Sequence, residues 1–228
     1  PTPTAEPTEP AGVPDAESVI MQMDFNGGAY AGVTGAGNPS MKVVDGGPLG
    51  IDNKALQVSK TGGAFWTVYT PATSYKTGIQ HMTADFYIPT GEITGTEHLL
   101  TAINHTDSAS CTRFWVEFSE GDNGKPVTGY GTLVADYPRD SWFTLHYKFN
   151  YYRKICEISL IHKGETREIF SGSMENTSLV AHSTGGLRAF RIGGVVENIT
   201  FYNDNVRIYE DIYTNPGGDS ATPVVSTM

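Results

Sequence analysis

The sequence predicts an all-β protein built as a two-sheet antiparallel β-sandwich, and three observations lead there. Segments rich in Val, Ile, Phe, Tyr and Thr recur at strand length and alternate apolar with polar side chains, as a half-buried strand does. The breaks between them hold Gly, Asn and Asp, which tolerate the positive φ of tight turns. No segment keeps an apolar stripe of helical period over three turns; SMENTSLVAH, from Ser173, has room for one short helix. Composition agrees, since 12 Tyr and 10 Phe in a chain only 18% charged suit pleated, half-buried surfaces.

Taken in order, alternation and β-branched content place strands at residues 19–25, 41–45, 55–60, 64–70, 79–88, 97–105, 111–119, 142–150, 154–162, 165–170, 187–193 and 198–209. Turn chemistry separates them: NGG at Asn26, DGG at Asp45, DN at Asp52, GDNG at Gly121 and HKGE at His162. So many short strands with tight hairpins and no internal repeat predict two packed sheets.

Residues 1–18 and 214–228 are rich in Pro, Thr, Gly and small polar residues, leave no apolar face to bury, and read as linkers. Residues 19–213 then form one β-sandwich module of roughly 195 residues, a size that a single core serves. A module tethered at both ends is expected to belong to a longer secreted or cell-surface protein, as a monomer among other modules of the same chain. A net charge of −10 and a pI near 4.9 give no footing for nucleic acid or an anionic membrane. No apolar run reaches the ~18 residues of a membrane span, and the first residues lack the basic and apolar regions of a signal peptide, so any signal is expected upstream. Cys111 and Cys156 are two isolated cysteines, not a disulfide framework; free thiols are the favoured reading and a single bridge the alternative. The sequons at Asn104, Asn176 and Asn198 arise readily by chance in an Asn/Thr-rich chain and mean nothing in most bacteria.

Alternation sorts each strand into two faces, and the face away from the core is where a sandwich meets a ligand. In CTRFWVEF, Phe114, Val116 and Phe118 form the apolar set, which leaves Arg113, Trp115 and Glu117 opposite. In WFTLHYKFN, Phe143, Leu145, Tyr147 and Phe149 face the core and leave Trp142, Thr144, His146 and Lys148. In HMTADFY, Met82, Ala84 and Phe86 go in and leave His81, Thr83, Asp85 and Tyr87. Sugars need this mixture: the C–H face of a pyranose stacks on an aromatic ring, and its hydroxyls pair with planar polar groups. A Trp beside Arg and Glu can equally pack under a loop, and Trp142, which opens its strand, can simply seal an edge. AFWTVYT leaves Trp66 two possible faces, of which the core is favoured. The Gly-rich segment 121–140 carries Tyr130 and Tyr137 as candidates to close over a glycan end; a plain hairpin from Val127 to Ala135 is the competing reading.

MDFN at Met23, KALQVSK at Lys54, TADFYIP at Thr83, FTLHYKFNYYRKICEISLIHKG from Phe143 and the closing ITFYNDNVRIYED resemble the concanavalin-A-like (laminin-G-like) jelly roll of bacterial carbohydrate-active proteins, over nearly all of residues 19–212. That resemblance implies a closing strand paired beside the opening one and a noncatalytic module that binds polysaccharide or oligosaccharide. It requires no cofactor, while a structural calcium ion is common in such folds, with Asp24 and Asp204 as candidate ligands. The PT/PE-rich flanks resemble the linkers of modular starch-adherence proteins of gut bacterial amylosomes, which puts α-glucan first and β-glucan or plant cell-wall glycan behind it. Catalysis is not expected. The compact E-x-D-x-x-E strand of laminarinase-type jelly rolls is missing, and Glu117 and Glu120, three apart, fall on opposite faces of a strand. IQH at Ile79 and HYK at His146 are a faint echo of alginate-lyase-like jelly rolls, without their Arg-x-Glu-x-Arg strand. No G-x-S-x-G element, P-loop or H-E-x-x-H helix occurs. A glycan lyase or hydrolase, and an adhesion or spacer module without a sugar site, are the alternatives.

Overall fold

Alternation in the sequence becomes alternation of burial in the folded chain. The computed structural model describes residues 9–10, 12–70, 78–92, 98–104, 112–118, 126–127, 132–135, 137–173 and 189–213, without the side chains at 98, 100, 102–104, 112–115, 117, 126–127, 132–135 and 195–197. The described chain runs β1 (Ala16–Met23), β2 (Val33–Ala36), β3 (Ser40–Asp45), a 3-10 turn (Gly47–Leu49), β4 (Lys54–Tyr69), β5 (Ile79–Tyr87), β6 (His98–Asn104), β7 (Thr112–Phe118), β8 (Pro126–Val127), β9 (Thr132–Ala135), β10 (Trp142–Asn150), β11 (Ile155–His162), β12 (Glu165–Ser173) and β13 (Ala189–Ile212). Met82, Ala84 and Phe86 of β5 and Leu145, Tyr147 and Phe149 of β10 are fully buried, as the period-2 reading requires.

Hydrogen bonds connect the strands in the order β12-β11-β10-β5-β13-β6-β7-β9-β8, with β1 and β4 also on β13, and β2 and β3 on β4. Every pairing is antiparallel except β7 with β9. This continuous ladder is folded over into two layers. Phe86 of β5 and Phe118 of β7 touch edge to face at 5.3 Å although β13 and β6 lie between their strands in the ladder. Across the same interior, Thr101 Oγ1 of β6 and Tyr147 Oη of β10 share a 2.7 Å hydrogen bond. Phe143 joins Phe86 and Phe118 in the aromatic centre of this core. The result is the β-sandwich that the sequence predicts, with β1 paired beside β13 as expected.

Strand β13 belongs to both layers. Its first half pairs with β6 and β4, its second half with β5 and β1. Gly193 pairs with Trp66 of β4, and a Cβ there would collide with the Phe65 carbonyl and press on the Trp66 ring. Near the other end a bulge at Asn205, in the left-handed region at φ 47°, shifts the register against β5 between Asp204 and Arg207. The HKGE turn between β11 and β12 holds Lys163 and Gly164 at φ 52° and 82°, as a type I′ hairpin demands.

Several expectations change. Segments 55–60 and 64–70 are one strand, β4, because Gly62 and Gly63 bend it without breaking its ladder to β13; 187–193 and 198–209 likewise merge into β13. Strand β2, VTGA, lacked an alternating pattern and forms because β4 offers it an edge. The leading linker is shorter than residues 1–18, since β1 starts at Ala16, opposite Ile212, and Glu9 accepts a 2.7 Å hydrogen bond from Asn150 Nδ2 while pairing with Arg153. Tyr137 is not a surface tyrosine: it is 2% exposed and packs on Phe118 and Phe143. Trp66 is not a core residue, because its neighbours Phe65, Thr67 and Tyr69 fill the inner face of β4 and leave it half-buried on the outer one. Cys156 is a free, fully buried thiol, the reading favoured from the sequence, and burial pushes its pKa up. Cys111, Tyr130, the helix expected from Ser173 and the trailing linker 214–228 lie outside the described residues.

Two outcomes follow. Gly193→Ala should destabilise the fold by about 1–3 kcal/mol, through overpacking against backbone that has nowhere to move, readable in a denaturant melt. In a Cys111→Ser variant, Cys156 should resist a thiol reagent in the native state and react once on unfolding; rapid native reaction would refute its burial.

Candidate functional site

The outer face of β10, β5, β13 and β4 carries a continuous row of side chains set by direct cross-strand pairing. Trp142 stands opposite Tyr87, Tyr87 opposite Tyr202, and Tyr202 opposite Gln57. All four are half-buried. The Trp142 and Tyr87 rings are 5.7 Å apart with planes 54° from parallel, and Tyr87 and Tyr202 are 5.9 Å apart at 79°. Three adjacent strands thus present three aromatic rings side by side, the geometry of a stacking surface.

The loop between β3 and β4 crosses the same face beside this row. Its Leu49 carbonyl accepts a 2.9 Å hydrogen bond from Trp142 Nε1 on β10, and its Asn53 Nδ2 donates to Asp204 Oδ2 on β13 at 2.5 Å. The loop therefore spans β5, which lies between those two strands. Buried Gly46 at its base leaves no room for a Cβ, since Ile51 and the Asn53 carbonyl occupy that space. Thr144 Oγ1 and Asn205 Nδ2 donate to the two oxygens of Asp85 at 2.5 and 2.8 Å, so the row next to the aromatic one is made of planar polar groups with fixed partners.

Further along the same strands lies a second cluster. His81 Nδ1 and His146 Nε2 share a hydrogen bond at 2.9 Å, and His81 Nε2 is 3.1 Å from Asp211 Oδ2, a charge contact that lacks hydrogen-bond alignment. The His81 ring stacks on Tyr209 at 4.6 Å, and Arg207, held by Glu17 at 2.7 Å, lies over Tyr209 at 4.4 Å. Burial, then the neighbouring His81 and Lys148, lower the His146 pKa to about 4. His146 is therefore neutral near neutrality and meets His81 through a hydrogen bond.

Asp204 is the buried acid of the site. It is 1% exposed, Oδ1 has no hydrogen-bond partner, and burial raises its pKa to about 6, with Asp85 and Asp24 raising it further against the hydrogen bonds from Asn205 and Asn53. Asp24 lies on the same side, with its Oδ1 accepting from the Asn26 amide, but among the described residues no group of three or more His, Cys, Asp or Glu side chains is spaced to hold a metal.

Sequence reasoning found Trp142, His146 and the outer set of β5. It also joined Arg113, Trp115 and Glu117 of β7 to them. Val116 and Phe118 of β7 face β5 and β10 across the core, so β7 belongs to the opposite layer; the three side chains themselves lie outside the description. Tyr202, Gln57, Arg207, Tyr209 and Asp211 went unremarked. The signal was the parity of the closing strand, which the Asn205 bulge inverts: Tyr202 and Tyr209 share a face although seven residues separate them.

No protein-family profile and no curated protein sequence matches the chain. Solved structures share its fold. The catalytic domain of a glycoside hydrolase family 131 protein from Coprinopsis cinerea is 14% identical with a TM-score of 0.57, covering 90% of this chain and 100% of that one. Lectin UEA-II, solved with galactose, is 10% identical at a TM-score of 0.54, covering 88% and 100%. Lectin I-B4 from Griffonia simplicifolia, in its metal-free form, is 13% identical at 0.51, covering 82% and 98%. At these identities the likeness is one of fold, the jelly-roll β-sandwich.

His146 and Asp204 make opposite contributions to stability between about pH 4 and 6. His146, depressed from 6.5, contributes stability present above its unfolded pKa and lost as pH falls through about 4. Asp204, raised from 3.8, contributes stability present below its unfolded pKa and lost as pH rises through about 6. Melting curves against pH should therefore be flatter for the native chain than for either variant: Asp204→Asn should leave stability rising with pH, and His146→Gln should leave it falling. Parallel curves for all three proteins would refute the assignment.

Proposed function

We propose that this β-sandwich is a noncatalytic glycan-binding module. The observation that carries the reading is the row Trp142, Tyr87 and Tyr202, three rings on adjacent strands beside the polar group of Asp85, Thr144 and Asn205. Stacking takes the C–H faces of sugar rings, and the flanking polar groups take hydroxyls. A net charge of −10 favours a neutral glycan over a polyanion. Of neutral glycans, α-glucan comes first, supported by the likeness of the PT/PE-rich flanks to starch-adherence linkers, and β-glucan or plant cell-wall glycan second. The module works outside the cell or on its surface as a monomer, tethered to other modules that convert weak single sites into avidity. A structural calcium ion belongs to this proposal, held through Asp204 Oδ1 with Asp24 nearby.

One observation favours a second reading, a glycan-active enzyme: Asp211, His81 and His146 stand in file, a form in which a carboxylate can orient one imidazole and that imidazole a second.

Native gels cast with starch, β-glucan or xylan, followed by a reducing-sugar assay, separate the readings. Retardation without depolymerisation is expected; product release would favour the enzyme, and neither would leave a spacer. Tyr202→Ala should weaken binding by about 1–3 kcal/mol, roughly five- to 150-fold, with an unchanged melting curve. Calcium should raise the melting temperature over that in EGTA for the native chain and not for Asp204→Asn; equal melts in both buffers would remove the ion from the proposal.

A further inference from the structure

The aromatic row does not end at Tyr202. Tyr202 pairs with Gln57 of β4, and Gln57 pairs with Lys42 of the edge strand β3, so the order Trp142, Tyr87, Tyr202, Gln57, Lys42 crosses five strands on one face. Parity confirms the face: Leu56 and Val58, on either side of Gln57, are fully buried, and Met41 and Val43, on either side of Lys42, pack against the core. At 4.7–4.9 Å between strands the row is about 19 Å long, the length of an oligosaccharide and not of one sugar. Along its second half the neighbouring row consists of hydroxyls: Ser59 Oγ is 3.2 Å from Thr200 Oγ1 and accepts a 3.3 Å hydrogen bond from Gln57 Nε2, and Ser40 stands opposite Ser59. One half of the row therefore stacks and the other half hydrogen-bonds.

The rings are not coplanar. Tyr87 is turned 54° from Trp142 and 79° from Tyr202. A ribbon-like chain whose sugar rings all lie in one plane can match only one of these faces at a time. A chain whose rings turn from one residue to the next can follow the row.

From this we infer that the site takes several consecutive sugars of a linear neutral glycan with turning ring planes, laid across the strands, with Gln57 and Lys42 binding the part that extends past the aromatic rings. This rests on the glycan-binding reading above and adds to it a path, a polarity and a class of chain. Gln57 and Lys42 are specificity residues for length: they act only on ligands long enough to reach them.

Titration calorimetry with maltooligosaccharides and laminarioligosaccharides from disaccharide to heptasaccharide tests this, with cellohexaose as the flat chain. Affinity for one turning series should climb with length and then level off, and cellohexaose should bind more weakly than the hexasaccharide of that series. Gln57→Ala and Lys42→Ala should each lose about two- to tenfold in affinity for the heptasaccharide, the worth of a hydrogen bond or two, and distinctly less for the trisaccharide. Tyr202→Ala should lose affinity for every length that binds. Length-independent losses at Gln57 and Lys42, no loss at either, or cellohexaose binding as tightly as the turning hexasaccharide would overturn the inference while the glycan-binding reading stands. Failure of every glycan to bind the native chain would overturn that reading, and this inference with it.

Discussion

The structure depends on one strand being shared by two layers. β13 runs 24 residues without leaving the ladder, lying between β6 and the end of β4 in one layer and beside β5 in the other, where the start of β4 and then β1 flank its far side. A strand can do this only where its side chains permit close crossing and its backbone permits a change of pitch. Gly193 supplies the first, since the Phe65 carbonyl and Trp66 ring occupy the volume of any side chain there. The bulge at Asn205 supplies the second by adding one residue and turning the strand. With β13 fixed, the inner faces of β5, β10, β6 and β7 are brought together, and Phe86, Phe118 and Phe143 close the centre.

The same bulge decides what the outer face contains. Before it, Tyr202 faces out and Asn203 faces in, where it accepts from Tyr69 Oη and donates to the Asp85 carbonyl. After it, Arg207, Tyr209 and Asp211 face out. The aromatic row and the histidine cluster thus lie on one surface because a single residue was inserted between them. Asp204, next to the bulge, takes the burden of that arrangement: it is an acid buried under the loop between β3 and β4, held through one oxygen by Asn53 and left with the other unpartnered.

Most of the strands were legible in the sequence because each buries one face, and burial of one face imposes a period of two. Phe143 to Phe149 and Met82 to Phe86 show this directly. What was not legible depended on partners distant in sequence. VTGA at Val33 becomes a strand only because β4 has an open edge, and Ala16 to Ser18 join β1 only because β13 continues past Arg207. Half of the site was legible by the same rule: Trp142, His146, Asp85 and Tyr87 follow from alternation alone. Alternation says which side of its own strand a residue takes, and not which layer that strand occupies, so it could not show that β7 lies in the layer opposite β10. Tyr137 reads as a loop residue until Phe118 and Phe143 are placed around it.

The pairing of β1 with the end of β13 has a mechanical consequence. The chain enters β1 at Ala16 directly beside the point where it leaves β13 at Ile212, joined there by the hydrogen bond from the Asp15 amide to the Ile212 carbonyl. Tension carried along the chain through this domain pulls those two points apart across the ladder and loads its hydrogen bonds one after another, as a zipper opens, where two strands pulled lengthwise past each other would share the load. The first bonds to yield are those between Ala16–Met23 and Val206–Ile212, while Tyr202 and the rows that pair with it lie farther along β13. Under such a pull the domain opens first at that corner, before the pairings of Tyr202 are loaded.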